Sequence, residues 1–273
     1  MRIWLNGALV EEGEACIAPA DHGFLVGDGV FETLRWYDGR PFALHAHLAR
    51  LEAGCRTMGI TGPGATELAR AAQAVIDANG LRDARMRITV TSGPGPPGLM
   101  RGDGPPTVLV VALPLLPLPP TSTAATARLR RDERSPLAGV KTVSLAESVT
   151  ALAEARAAGA DEALVLNTRG ELCEATTANV FLVYDGVATT PPVESGCLAG
   201  ITREHVLALG AVERTLRVED IELAAEAFLT SSTREVQPLV AVDGRAIGDG
   251  KPGPVTRRFA AAYAEAVRAA LDI

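Results

Sequence analysis

Lys141 is one of only two lysines in a chain with 26 lysine and arginine residues, and it lies in SPLAGVKTVSLAES, residues 135–148. Its neighbours Val140 and Val143 are apolar, and a helix is predicted to begin a few residues later. Apolar surroundings and the positive end of a helix both lower the pKa of an amine. Such an amine can form a Schiff base with a carbonyl. The alternative is a lysine that extends from a loop to water, as we expect for Lys251 in its predicted turn.

Three further features suit one kind of ligand. Glu174 lies in the mostly uncharged stretch ELCEATTANVF, where an ionised carboxylate needs a cationic partner such as a protonated pyridine nitrogen, unless it is simply exposed. Ile201 and Thr202 open a predicted helix whose amides and hydroxyl could bind a phosphate, although Thr202 could equally be a plain helix cap. Arg50 is a second phosphate candidate, although solvated arginines are commoner. Together, an amine, a carboxylate and phosphate donors match pyridoxal 5′-phosphate.

Other chemistries fit the residues poorly. The stretch GPGPPG lacks the lysine and hydroxyl of a nucleotide-binding loop, and no G-x-S-x-G sequence occurs. His45 and His47 lie two residues apart on a predicted helix, so their side chains diverge and no metal site is expected. The four cysteines form no CxxC pair, which favours reduced, mostly structural thiols over disulfides or zinc.

The composition limits the class of protein. At 273 residues, 47% hydrophobic and 22% charged, the chain is typical of a globular protein with one long or two ordinary domains. A net charge of −7 without any basic run argues against a nucleic-acid partner. The N-terminal MRIWLNG is unlike a signal peptide and no long apolar run follows, so we expect no membrane association and a cytoplasmic location.

The elements that position these residues can be predicted from turn pairs and periodicity. Asn6-Gly7 and Asp38-Gly39 are typical of tight hairpin turns. Ser144 and Glu147 have the spacing of a helix capping box, ahead of a helix that Gly159 ends. A buried helical face is predicted for Leu145, Val149 and Leu152, and another for Leu44, Leu48, Leu51, Cys55 and Met58.

The proline-rich stretch PLLPLPPTS, residues 114–122, excludes both helix and central strand. We therefore predict an N-terminal small domain over 1–113, a linker over 114–122 and a larger cofactor-binding domain over 123–273. The fold class is α+β, with mostly antiparallel strands and helices packed outside them.

With these residues assembled, the chain resembles the class IV pyridoxal-phosphate aminotransferases over nearly its whole length. The resemblance is carried by DHGFLVGDGVFETLR, HLARL, LAGVKTVS, DEALVLNTRGELCEATTANVF, LAGITR and FLTSSTREVQPL. It implies the two-domain fold of the D-amino-acid aminotransferases, called fold type IV, with a β-barrel-like core in the C-terminal domain. It also implies a site between the domains and a homodimer in which a loop of the second subunit closes that site.

The resemblance also implies roles for single residues. Lys141 would hold the cofactor as a Schiff base and carry the proton during the reaction, and Glu174 would partner the pyridine nitrogen. The phosphate would be held by Arg50, Ile201, Thr202 and Ser232, with Ser232 standing where the family often has threonine.

The substrate pocket departs from the family pattern. D-amino-acid aminotransferases usually carry an aromatic hydroxyl where this chain has Phe31, and an arginine and a histidine near Pro97 and Leu99. The usual carboxylate-binding pair is therefore missing or rebuilt. We predict that Arg35 or Arg101 replaces it. The other candidate substrate contacts are Thr33, Thr177, Ser231 and Thr233.

The predicted activity is transfer of an amino group from a D-amino acid to a 2-oxo acid, with tolerance for (R)-amines. LAGVK and CEATTANVF also resemble the aminodeoxychorismate lyases, which makes a lyase forming 4-aminobenzoate and pyruvate the alternative. A branched-chain L-amino-acid aminotransferase ranks third. A catalytically idle ligand-binding protein on the same fold is the alternative of another class.

Overall fold

The computed structural model describes residues 1–272, which divide into two compact units. The first comprises Met1–Leu116 and Val140–Leu145, and the second comprises Pro117–Gly139 and Ala146–Asp272. The sequence predicts a single domain over 123–273. In the structure, Val140–Leu145, which contains Lys141, belongs to the first unit instead. Backbone hydrogen bonds explain its placement, because the Phe31 N–H donates to the Lys141 carbonyl at 2.9 Å and the Val143 N–H donates to the Gly29 carbonyl at 2.9 Å.

The first unit is a six-stranded antiparallel sheet with two long helices. Its strands are β1 (Arg2–Leu5), β2 (Ala8–Glu11), β3 (Gly29–Tyr37), β4 (Arg40–Pro41), β5 (Ala84–Thr91) and β6 (Thr107–Pro114). Its helices are the short α1 (His22–Leu25), α2 (Leu44–Met58) and α3 (Ala65–Asn79). The strand order is β2-β1-β6-β5-β3-β4.

The turns of this unit confirm the local predictions. Asn6 and Gly7 both have positive φ and join β1 to β2, and Asp38 and Gly39 join β3 to β4 in the same way. Both pairs fit tight hairpin turns whose twist matches the strands. The stripe on α2 is confirmed as well, since Leu48, Leu51 and Cys55 are buried there.

The two faces of β3 have different roles because successive side chains point to opposite sides of a sheet. Val30, Leu34 and Trp36 are buried in the core that α2 and α3 form with the sheet. Phe31 and Thr33 point to the opposite face. That opposite face holds the candidate catalytic residues of this unit.

The second unit is built on a nine-stranded mixed sheet that curls into a half-barrel. Its strands are β7 (Ser122–Arg131), β8 (Glu162–Asn167), β9 (Leu172–Ala175), β10 (Asn179–Tyr184), β11 (Val187–Thr190), β12 (Val212–Glu213), β13 (Glu226–Ser231), β14 (Glu235–Val242) and β15 (Arg245–Ala246). Its helices are α4 (Ala146–Ala157), α5 (Ile201–Ala208), α6 (Val218–Leu223) and α7 (Pro254–Leu271). The strand order is β12-β11-β10-β13-β14-β7-β8-β9, with β15 paired to β14. The predicted α+β class with a barrel-like second core is confirmed.

One predicted helix face in this unit is wrong. Helix α4 begins at Ala146, so Leu145 rather than Ser144 precedes it. Val149 is 64% exposed, and the buried residues of α4 are Ala151 and Ala155. These small side chains pack with alanines and aliphatic residues of β7 and β8, where a larger side chain would need more room.

Residues 1–272 contain neither a membrane span nor a metal cluster. No helix in this range is both long and apolar enough to cross a lipid bilayer. No group of three or more metal-ligating side chains lies together in it. All four cysteines are free thiols, and burial raises the pKa of the Cys55 thiol to about 11, which makes it unreactive near neutral pH.

Candidate active site

Lys141 lies on the outer face of the first unit's sheet. An isolated bridge between Val30 and Thr142 fixes its segment alongside β3. The half-buried Lys141 places its Nζ 4.5 Å from the centroid of the Phe31 ring. An ammonium over an aromatic face is stabilised by the ring quadrupole, so Phe31 positions the amine without introducing a competing negative charge.

Arg87 on β5 also contacts the Phe31 ring. This residue was not identified as a candidate by the sequence analysis. Its Cζ lies 3.6 Å from the Phe31 centroid, and its Nε donates to Thr89 Oγ1 at 3.1 Å. Among residues 1–272 it forms no ion pair with a carboxylate, and burial followed by the charge of Arg85 lowers the pKa of its guanidinium. A half-buried cation in this state favours an anionic ligand. The available signal was the alternation in RMRITVT, which puts both arginines on the face of β5 opposite the core.

Arg87 also borders a cavity of about 220 Å³ in the first unit. The cavity walls include Thr89, Leu109 and Val143, which are mostly apolar where they face it. A small ligand with one anionic group and an apolar remainder suits such a surface.

The two arginines predicted to bind the substrate carboxylate lie elsewhere. Arg101 is engaged by Asp28 through two bonds of 2.6 Å, and its Nη1 donates to the Gly59 carbonyl, so its guanidinium already has an anion. Burial acts to raise the pKa of Asp28, but the Arg101 hydrogen bond holds it below its ordinary value. Arg35 lies over the Tyr37 ring at 4.3 Å, roughly 13 Å along the strand from Phe31. The carboxylate contact of Arg35 or Arg101 stays a prediction, and Arg87 lies nearer to Phe31 than Arg35 does.

Arg50 belongs to a buried charge cluster on the helix side of β3. Its Nε and Nη2 donate to the two carboxylate oxygens of Glu32 at 2.7 and 2.9 Å. His47, also buried, places its Nδ1 2.7 Å from Glu32 Oε2. The two bonds to Glu32 fix the direction of the Arg50 side chain, whereas a bond from Arg50 to the phosphate stays a prediction. Because the His47 ring faces Glu32, this histidine pairs with a carboxylate rather than with a metal ion.

Glu174 lies on β9 of the second unit with both carboxylate oxygens positioned. Its Oε2 accepts from the Leu198 N–H at 3.0 Å, and its Oε1 accepts from Arg131 Nη2 at 3.3 Å. The Glu174 side chain is 13% exposed, so its charge is held in a largely dry setting. The Nε of Arg131 is buried without a hydrogen-bond partner among residues 1–272. Arg131 is a second residue that the sequence analysis missed, because its pairing joins distant strands.

The chain from Leu198 leads directly into the N-terminus of α5. Asn179 Nδ2 donates to the Leu198 carbonyl at 2.8 Å, and a Cβ at Gly200 would lie 2.0 Å from Asn179 Oδ1. Only glycine allows this close approach, so packing requires glycine at position 200. Ile201 and Thr202 then begin the helix, whose first amides have no partner within the helix and can bind an anion.

The side chains of Ile201 and Thr202 are less available than predicted. Both residues are buried, and Thr202 Oγ1 lies 3.3 Å from Tyr263 Oη on α7. A phosphate at this helix end would therefore be met mainly by backbone N–H groups.

The remaining candidates lie in two turns of the second unit. Ser231, Ser232 and Thr233 are at the end of β13 and in the turn to β14. Thr177, in the turn between β9 and β10, donates to Glu162 and accepts from Arg234, and its predicted substrate contact stays a prediction.

These residues suit pyridoxal 5′-phosphate by their chemistry. Within the first unit, an amine lies beside an aromatic ring and a cation. Within the second unit, an ionised carboxylate lies one hydrogen bond from the segment that opens an anion-binding helix end. An aldehyde, a pyridine nitrogen and a phosphate are the groups that such residues recognise.

The fold and these residues define a fold-type IV enzyme, and the chain belongs to the class IV aminotransferase family. The family model for class IV amino-transferases matches residues 29–242. Members of this family depend on pyridoxal 5′-phosphate.

Two kinds of named substrate occur among similar proteins. A Methanocaldococcus jannaschii protein, provisionally named a branched-chain-amino-acid aminotransferase, is 38% identical over 95% of this chain and 94% of its own length. A D-alanine aminotransferase of Bacillus licheniformis is 32% identical over 98% of this chain and 97% of its own length. The branched-chain aminotransferase of Thermoproteus uzoniensis, solved with norvaline, has a TM-score of 0.90 at 33% identity, covering 98% of this chain and 94% of that one.

Proposed function

We propose that the chain transfers an amino group from a D-amino acid to a 2-oxo acid, with Arg87 as the partner of the substrate carboxylate. The observation that carries the proposal is the sharing of the Phe31 ring by Lys141 and Arg87. An amine that works on Cα and a cation that binds the adjacent carboxylate must both reach the same small ligand, and Lys141 Nζ and Arg87 Cζ lie 4.5 and 3.6 Å from the centroid of one ring.

The other residues take roles that follow from their surroundings. Pyridoxal 5′-phosphate, when bound, supplies an aldehyde and an electron-withdrawing ring that stabilises negative charge at the substrate Cα. Lys141 Nζ holds the aldehyde and moves the proton at Cα. Arg131 and the Leu198 N–H stabilise the Glu174 carboxylate, which would hydrogen-bond the protonated ring nitrogen of the cofactor.

The family resemblance implies that Arg50, Ser232 and the first residues of α5 would each contact the phosphate. The Arg50 side chain is oriented by Glu32, and the α5 terminus is held by Asn179. A phosphate dianion is stabilised by both the guanidinium and the helix dipole.

The charge of Arg87 affects how well the site would accept (R)-amines. A substrate without a carboxylate would leave the half-buried guanidinium unpaired, which a site built for a charged partner disfavours strongly. We therefore propose that amino acids are preferred over simple amines.

A branched-chain L-amino acid is the second candidate donor. The observation that favours it is the 38% identity to the M. jannaschii protein, against 32% for the D-alanine enzyme. The stretches LAGITR and FLTSSTREVQP favour a D-amino acid instead.

A donor panel tests the substrate. The purified holoenzyme is offered D-alanine, L-leucine and L-valine, each with 2-oxoglutarate, and the glutamate formed is resolved by chiral chromatography. D-glutamate from D-alanine supports the proposal, and L-glutamate from L-leucine replaces it with the second candidate. Formation of 4-aminobenzoate from aminodeoxychorismate without transamination would make the enzyme a lyase.

Substitution of Arg87 tests the carboxylate contact. We expect Arg87→Met to raise KM for D-alanine and 2-oxoglutarate by roughly a hundredfold, the effect of losing a partly desolvated charge pair. The single-turnover half-reaction with (R)-1-phenylethylamine, which has no carboxylate and needs no 2-oxo acid, should not slow. Arg85→Met is the matched control, since Arg85 is exposed two residues earlier on the same face of β5. Unchanged KM values in Arg87→Met would refute the assignment.

A further inference from the structure

The turn that joins β13 to β14 has a backbone conformation that needs external support. Ser231 and Glu235 are the last paired residues, so residues 232–234 form a three-residue connection. Glu235 has φ +57°, a left-handed conformation that costs about 1 kcal/mol or more for a residue other than glycine. Ser232, the proposed phosphate ligand, lies at the start of this connection.

Arg234 ties this turn to the rest of the second unit. Its Nη1 donates to Gln237 Oε1 at 2.8 Å, and its Nη2 donates to Glu162 Oε2 at 2.9 Å and to Thr177 Oγ1 at 3.0 Å. Its backbone N–H donates to Ser231 Oγ at 3.2 Å. One guanidinium thus joins the β13–β14 turn, strand β8 and the β9–β10 turn.

The anchor of this network is a carboxylate without any exposed surface. Glu162 is 0% exposed at the start of β8. Besides Arg234, it accepts hydrogen bonds from the Ala163 N–H at 3.0 Å and from the hydroxyls of Thr176 and Thr177. A buried carboxylate with this many donors is a rigid point, so the side chain bound to it is rigid as well.

We propose that Arg234 is a positioning residue for the cofactor phosphate. By binding Glu162 and Thr177, it holds the 232–234 turn, together with the left-handed Glu235 that follows it, in the conformation that presents Ser232. This inference rests on the proposed function, because it takes Ser232 as a phosphate ligand. Neither the ion pair nor the turn strain follows from the family resemblance.

The planar guanidinium group, with several N–H donors, is the essential property of Arg234. A guanidinium bonds Gln237, Glu162 and Thr177 at once, whereas a lysine ammonium is a point charge that cannot span the same acceptors. Arg234→Lys should therefore recover only part of the effect.

The test measures the affinity of the apoenzyme for pyridoxal 5′-phosphate by absorbance titration. We expect Arg234→Ala to raise the apparent Kd about tenfold, the loss expected for one charge-assisted hydrogen bond, and Arg234→Lys to give an intermediate value. Glu162 keeps its hydrogen bonds from Ala163, Thr176 and Thr177 in both variants, and the thermal unfolding midpoint of each apoenzyme measures how far folding is preserved. Arg245→Ala is the control, since within residues 1–272 the Arg245 side chain forms an exposed ion pair with Glu222 and no other. This variant should bind the cofactor as the wild type does.

A double substitution shows whether Arg234 acts through Ser232. If it does, Ser232→Ala and the double variant Ser232→Ala/Arg234→Ala should have the same Kd within about twofold. Additive losses would overturn the inference, and so would a wild-type Kd in Arg234→Ala. Failure of the proposed function is distinguishable, because the wild type would then bind no cofactor or show no transaminase activity.

Discussion

Glu32 provides a stability prediction that can be worked out from the structure. The carboxylate is completely buried against His47 and Arg50. Burial alone would raise its pKa, but the hydrogen bonds from His47 and Arg50 and the charge of Arg50 outweigh burial and lower the pKa from 4.5 to about 2. The folded state therefore binds a proton at Glu32 much less readily than the unfolded state does.

The sign and size of the effect follow from this difference in pKa. Because the folded value is the lower one, the stabilisation is complete above pH 4.5 and is lost as the pH falls toward 2. A pKa difference of about 2.5 corresponds to about 3 kcal/mol, of which about 2 kcal/mol is already lost at pH 3. Glu32→Gln cannot make this contribution at any pH.

The assay is urea unfolding of wild type and Glu32→Gln at pH 7 and pH 3, followed by tryptophan fluorescence. Trp4 and Trp36 are the only tryptophans and both lie in the first unit, so the signal reports the unit that contains Glu32. The difference in unfolding free energy between the two proteins should shrink by about 2 kcal/mol at the lower pH.

Glu52→Gln is the matched control, because Glu52 forms an exposed pair with Arg56 on α2. It should cost less than about 1 kcal/mol at either pH. A wild-type-to-Glu32→Gln difference that is the same at pH 7 and pH 3 would refute the reasoning.

Two further predictions concern the cofactor site. Lys141→Ala should lower turnover at least about a thousandfold, because the proton carrier is removed, whereas Lys251→Ala at the exposed second lysine should keep full activity in the same transamination assay. Retained transamination above the free-cofactor rate in Lys141→Ala would contradict the role. Gly200→Ala should weaken cofactor binding about tenfold by pushing Asn179 away, while Gly64→Ala, at a helix start with open space, should leave the titrated Kd unchanged. Equal Kd values for the two glycine variants would show that the close approach is unimportant.

Local sequence was sufficient for many elements of the fold. Both residues of Asn6-Gly7 and of Asp38-Gly39 have positive φ, a conformation that these residue types favour by themselves. Their hairpins could therefore be predicted without knowledge of distant contacts. The buried face of α2 could be predicted in the same way, since helix periodicity involves neighbouring turns only. By contrast, α4 buries Ala151 and Ala155 instead of the larger Val149, because the space against β7 and β8 decides which face packs.

The sequence by itself determined the family, the cofactor and the candidates Lys141 and Glu174, since these depend on residue types in ordered stretches. Only the tertiary structure decided which cations are available. Arg35 or Arg101 was the predicted carboxylate ligand. Asp28, 73 residues away, neutralises Arg101, whereas Arg87 reaches the Phe31 ring without an acidic partner among residues 1–272. The physical reason is that burial and charge pairing join residues far apart in the chain, and no local pattern records which arginine meets a carboxylate.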